Sequence, residues 1–228
     1  MSNNQHAITG LQLSHQANIL FITDGVCRDA LDAEWIQFTG QQTLDPSVNG
    51  LGGLDAGTLQ ADSAYAVYAV KSTSGTVGAI LSASFDPVLN PPTWPGSVAY
   101  RRIGSVMTDG NADVRAFTQT GTDRTRVVTY SGGLSSLYAL QGGAASAWTD
   151  VDLNALAPRV SEQISLFLKA NGGATLEVKE PSASHAQMAT TSEVVYPFMV
   201  GPIGPHTDYR VPGPGTGDIA VLGYQEQV

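Results

Sequence analysis

Apolar and polar residues alternate with a period of two along much of this chain, and turn residues interrupt the alternation at short intervals. Successive side chains of a strand point to opposite faces, so this pattern predicts strands buried on one side. Residues 65–71 (Tyr-Ala-Val-Tyr-Ala-Val-Lys) read as one strand, 72–75 as a polar turn and 76–82 as the returning strand of a hairpin. Residues 99–108 form a further strand, with Tyr100, Ile103 and Val106 as its apolar members. That strand runs into Asp109-Gly110, a dipeptide suited to a tight type I′ turn, and 114–119 is its expected partner. Asn171-Gly172-Gly173 predicts another hairpin link, between 163–170 and 175–179. Ile164, Leu166 and Leu168 share one face there, as do Leu176 and Val178. Residues 17–23, 34–39, 126–131, 148–153, 194–200 and 218–224 complete the expected strands.

About twelve short antiparallel strands with almost no 3.6-residue periodicity predict an all-β sandwich or jelly roll. The best helical stretch, 28–35, has little apolar periodicity, and 153–157 before Pro158 suits one helical turn. Residues 45–61, 85–97 and 201–217 read as Gly- or Pro-rich connections, the second carrying Pro87, Pro91, Pro92 and Pro95. The small residues of 141–147 leave room for two sub-domains. The division read from the sequence is an N-terminal arm and first strand (1–24), a β domain (25–125) and a second, jelly-roll-like β portion (126–228).

Composition narrows the function classes. Eleven Lys and Arg against twenty Asp and Glu leave a net charge of −9, which argues against nucleic acid as a partner. Hydrophobic residues at 42% suffice for a packed core. A single cysteine, Cys27, excludes an intrachain disulfide and reads as a small buried hydrophobe. No run approaches the ~18 apolar residues of a membrane span, and residues 1–10 show no secretory signal, so synthesis and folding in a reducing cytosol are expected.

Candidate chemistry is sparse, and neither a catalytic residue nor a cofactor is expected. Asp109, Asn111 and Asp113 place oxygens at alternate positions, as the start of a calcium loop would. Val114 and Thr120 stand where such a loop needs Gly and Glu, so a hairpin tip is the plainer reading. His6, His15, His185 and His206 lack metal-ligand spacing and read as exposed loop residues. No G-x-S-x-G elbow occurs, and Gly213-Pro214-Gly215-Thr216-Gly217 lacks the lysine of a phosphate loop. Asp150 and Asp152 share one face if they lie on a strand, a pairing that suits either glycoside hydrolysis or a solvated edge. Trp94, stiffened by its prolines, either stacks on a sugar or partner or caps an open end of the core. Trp35 and Trp148 read as core or subunit-interface residues.

Gly53-Leu54-Asp55-Ala56-Gly57, the Tyr65–Val70 strand, Ile80-Leu81-Ser82-Ala83-Ser84 and Tyr100-Arg101-Arg102-Ile103-Gly104 follow one another in an order that resembles phage and prophage tail-fibre proteins. Asp208-Tyr209-Arg210 and 219–224 are similar to the closing strands of such domains. The resemblance implies a non-enzymatic virion structural protein of a tailed phage, made in the host cytoplasm, placed in the tail or baseplate and contributing to host-surface attachment. It implies a homotrimer, with other virion proteins and a host-surface glycan as partners. A capsid decoration or head-spike protein, and a glycan-degrading enzyme or carbohydrate-binding module, are the alternatives. Arg101 and Arg102 match the family's two arginines. They are candidate glycan or partner contacts beside Trp94, and their alternation on a strand lets at most one face a given partner. The other is expected in an ion pair with Asp86 or Asp113.

Overall fold

The computed structural model describes residues 8–86, 97–122, 124–201 and 204–228. They form an all-β protein built from several antiparallel sheets, with nineteen strands among the described residues rather than about twelve. The chain divides into two compact units, one of residues 1–128 with 227–228 and one of 129–226.

In the first unit the strands are β1 (Ile8–Gly10), β2 (Leu13–Gln16), β3 (Ile19–Ile22), β4 (Gly25–Arg28), β5 (Trp35–Phe38), β6 (Gln42–Leu44), β7 (Ala64–Ser72), β8 (Val77–Ser82), β9 (Ser97–Met107), β10 (Phe117–Gly121) and β11 (Thr125–Tyr130), the last ending in the second unit. They pair as β1-β4-β5, β8-β7-β9 and β11-β10-β2-β3-β6. The hairpin expected over 65–82 is present, with Lys71 opposite Val77 and Ala66 opposite Ser82. Its turn closes through Ser72 N–H to Thr76 O and Gly75 N–H to Ser72 O, and Gly75 takes φ +85°. β7 is central, so Tyr65 to Val70 are all buried. Its period-two pattern therefore separates two covered faces rather than core from solvent.

The 45–61 segment contains no strand, yet it shields the free edge of β8. Gly52 N–H donates to Ala79 O, Leu81 N–H to Gly53 O and Asp55 N–H to Leu81 O. Unpaired edge groups are thereby covered, which removes a template for aggregation. Gly78 on β8 permits the approach, because a Cβ there would lie 2.6 Å from Leu51, and Gly53 permits the segment's own turn, where a Cβ would lie 2.2 Å from Val48 O.

Two turns of the first unit depart from expectation. Residues 17–23 are not one strand: Ala17 (φ +47°) and Asn18 (φ +65°) make a two-residue turn between β2 and β3. Positive φ at both central residues is the type I′ geometry that matches strand twist. At Asp109-Gly110 the left-handed residue is Ala112 (φ +64°), with Asp109 N–H bonded to Asp113 O and Ala112 N–H to Asp109 O. Beyond the Thr108–Val114 bridge, β9 joins β7 while β10 joins β2, so the expected hairpin is confined to its tip.

These two turns meet. Val114 N–H donates to Asn18 Oδ1 at 2.7 Å, Asn18 N–H donates to His15 Nε2 at 3.1 Å, and the His15 ring stacks on Phe117. His15 thus lies on a strand rather than in an exposed loop. Burial lowers its pKa below the ordinary histidine value, against the opposing charge of Asp113. Its folded-state pKa is depressed, so the unfolded chain binds the proton first as pH falls. Stability is then complete above the ordinary value near pH 6.5 and declines below it. Urea midpoints should therefore fall between pH 7.5 and 5.5, and His15→Gln, which offers a non-titrating acceptor, should flatten that part of the slope. An unchanged slope in the variant would assign the effect to other groups.

In the second unit a single 3₁₀ turn (Leu134–Ser136) precedes β12 (Tyr138–Gly143), β13 (Thr149–Asp152), β14 (Ser161–Asn171), β15 (Leu176–Lys179), β16 (Met188–Thr190), β17 (Glu193–Met199), β18 (His206–Arg210) and β19 (Thr216–Gln227). One sheet runs β17-β14-β19 with β12 also on β19, and the other runs β13-β18-β15-β16. They pack as a sandwich. Ile164, Leu166, Leu168, Leu176 and Val178 are fully buried, on the shared faces expected for them. Packing is close enough that a Cβ on Gly217 would lie 2.6 Å from Leu176, and one on Gly143 2.8 Å from Tyr209.

Asn171-Gly172-Gly173 does turn the chain, with φ of +69° and +75° at the glycines. It joins no hairpin, because β14 pairs with β17 and β19 whereas β15 pairs with β16 and β18. The 201–217 stretch, read as a connection, contains β18, the strand on which the functional site depends.

Candidate functional site

The outer face of the β13-β18-β15 sheet carries a set of interacting polar side chains. Pairing sets Asp150 opposite Asp208 and Asp152 opposite His206, then Lys179 opposite Asp208 and Glu177 opposite Arg210. Alternation sends Val151, Thr207, Tyr209 and Val178 inward, where all are buried. The residues between them necessarily point outward. Asp150 and Asp152 share that face as the sequence predicts, on the outermost strand of the sheet.

Trp148, just before β13, is half-buried rather than a core residue. Its ring centre lies 4.5 Å from the Arg210 guanidinium carbon and 5.2 Å from Lys179 Nζ. Such cation–π contacts hold the indole in one orientation. Arg210 Nε donates to Glu177 Oε2 at 2.6 Å, and Lys179 Nζ donates to Asp208 Oδ2 at 2.7 Å and to Pro181 O at 3.1 Å. Both cations are therefore neutralised within the face.

His206 lies between the two remaining carboxylates. Its Nδ1 is 3.1 Å from Asp150 Oδ1, and its Nε2 is 3.8 Å from Asp152 Oδ1. With a carboxylate facing Nδ1, the neutral ring carries its proton there, and Nε2 accepts from Asn154 Nδ2 at 3.2 Å. Asn154 also donates its backbone and side-chain N–H to Asp152 Oδ1, at 2.8 and 2.6 Å. Asp150 and Asp152 are 55% and 62% exposed, so their outer oxygens face water. An acid catalyst of glycoside cleavage needs apolar, buried surroundings, which neither has. The face is chemically suited to accepting hydrogen bonds from hydroxyl or ammonium groups beside an aromatic ring.

No protein-family model and no curated protein sequence matches the chain.

The remaining candidates fall elsewhere. Trp94 lies outside the described residues. Arg101 Nη2 donates to the main-chain oxygen of Val228 at 2.9 Å, and Arg102 Nη2 to that of Gln227. Both guanidinium groups thus end on one dipeptide, where alternation led us to expect that at most one could face a given partner. A bulge in the β7–β9 ladder, with Val67 opposite Gly104 but Tyr68 opposite Arg102, interrupts the simple alternation beside them. Asp109 Oδ1 accepts the N–H groups of Asn111 and Asp113 at 2.8 and 3.1 Å, so that carboxylate is turned onto its own loop. Among the described residues no group of three or more His, Cys, Asp or Glu is placed to hold a metal ion. Likewise, no helix there is long and apolar enough to cross a membrane. Cys27 is buried, and that burial pushes its thiol up to about 12. Trp35 is half-exposed, stacked with Arg28 at 4.9 Å, and is not part of the core.

His206, Asp208 and Arg210 were not singled out as site residues by sequence reasoning. Their signal was the alternation His206-Thr207-Asp208-Tyr209-Arg210, masked by Pro205, Pro212 and the surrounding glycines.

Proposed function

We propose that this chain is a non-enzymatic structural protein of a tailed-phage virion, borne on the tail or baseplate, that helps hold the particle to a host-surface glycan. The observation that carries the attachment role is the indole of Trp148, oriented by Arg210 at one end of a sheet face along which Asp150 and His206 follow. Sugars present apolar C–H patches and hydroxyls together, and a fixed ring flanked by acceptors and donors meets both. The virion assignment rests on the tail-fibre-like segments, which supply the scaffold of the first unit. Gly53-Leu54-Asp55 lies along β8, Tyr65–Val70 is the core of β7, and Tyr100–Gly104 belongs to β9.

Self-association is supported by β17, outermost in its sheet, which exposes Val195 (56%) and Met199 (62%) on either side of Pro197, and the homotrimer is what the tail-fibre resemblance implies. Several copies on one particle would multiply a weak site into firm adhesion.

Particles carrying Trp148→Ala are expected to adsorb to host cells roughly ten-fold less than wild type, since one lost stacking contact is about 1 kcal/mol per site and avidity enlarges it. Antibody labelling in electron micrographs should mark the tail. Unchanged adsorption overturns the attachment role, label on the head favours a capsid decoration protein, and shortening of host polysaccharide by purified protein overturns the non-enzymatic reading.

A further inference from the structure

We infer that the glycan held by this face is an extended oligosaccharide without acidic groups, and that free amino groups on it strengthen binding. The inference rests on the attachment reading above and adds the ligand's charge and extent. Extent follows from the strand. Trp148, Asp150 and Asp152 occupy alternate positions, and at about 3.3 Å per residue they span about 13 Å, more than one sugar ring covers. Asn154 prolongs the row, and among the described residues β13 ends its sheet, with no further strand paired to its outer edge.

Charge follows from the pairings. A ligand carboxylate or phosphate favours a free cation, and among the described residues of this face Arg210 and Lys179 are each already paired with a carboxylate. Arg210, with 36% of its side chain exposed, is held by Glu177 at 2.6 Å and lies over Trp148, and Lys179 is held by Asp208 at 2.7 Å with 7% of its side chain exposed. The most exposed charges among the groups of this face are Asp150 and Asp152, at 55% and 62%, on a chain of net charge −9. An acidic sugar is repelled there, a neutral one gains hydroxyl hydrogen bonds, and an ammonium gains a charge-assisted bond to a carboxylate.

The test is titration calorimetry with three oligomers of equal length: a deacetylated chitosan oligomer, its fully acetylated neutral counterpart and an oligogalacturonate. The expected order is amino, then neutral, then acidic, with about ten-fold between neighbours at low salt. Asp150→Asn combined with Asp152→Asn, with circular dichroism confirming the fold, should remove the amino preference, so that the amino and neutral oligomers bind equally. Trp148→Ala should weaken all three. Equal or tighter binding of the acidic oligomer overturns the inference, as does an amino preference that survives the double variant and so arises from the general negative surface. Binding of none of them also overturns it, while the adsorption of Trp148→Ala particles separately decides the attachment reading.

Discussion

Lys179→Met is expected to destabilise the second unit by about 3 kcal/mol, a fall in its thermal midpoint of roughly 12–24 °C. Lys179 is buried, its ammonium bonded to Asp208 at 2.7 Å and to the carbonyl of Pro181, with Trp148 nearby. Methionine retains the length of the side chain and removes the charge. Asp208, only 15% exposed, is then left without its cation. Breaking a buried pair on one side costs about 3–5 kcal/mol, and the partial access of water to Asp208 sets the lower end. The pair itself is worth far less than its rupture, because both charges were desolvated to form it. Lys179→Met combined with Asp208→Leu should therefore recover most of the loss. Calorimetry on the three variants decides the matter, and a double variant as unstable as the single one would refute this account. Because Trp148 packs by Lys179, the single variant should also weaken glycan binding, although Lys179 is itself buried.

Gly25→Ala should cost the first unit about 3 kcal/mol, through overpacking that the backbone cannot relieve. Gly25 stands opposite Gly10 where β1 meets β4. A Cβ there would lie 2.3 Å from Thr9 O and 2.6 Å from Leu11 N. Both are main-chain atoms, so no side chain can swing away. Gly40→Ala is the matched control: nothing lies within 4 Å of its Cβ position, and it is outside the left-handed region. The control should be neutral or stabilising by a few tenths of a kcal/mol, through the unfolded chain. Denaturant midpoints that move equally for both variants would mean that close approach at Gly10 and Gly25 does not limit the fold.

The local features of this protein could be read from its residues. Tyr65–Ser82 is a hairpin in the sequence and in the structure because alternation and a Gly-closed turn are properties of a few neighbouring residues. The faces of β14 and β15 were legible for the same reason, and so was the common side of Asp150 and Asp152. In the candidate site, half of each interaction was visible: the acids of β13, but not His206 or Arg210 across the ladder.

What only the tertiary structure decided was which sheet each strand joins. β9 and β10, like β14 and β15, follow one another through good turns and then pair elsewhere. A turn is governed by the φ and ψ of two or three residues. Strand partnership is governed by which apolar faces can be buried together across the whole unit, and alternation alone does not distinguish one sheet from the facing one. The same cause hid β18, whose five residues alternate but are bounded by proline and glycine, and become a strand through pairing with β13 and β15. The face formed by Trp148, Asp150, His206 and Arg210 exists because those distant segments share a sheet.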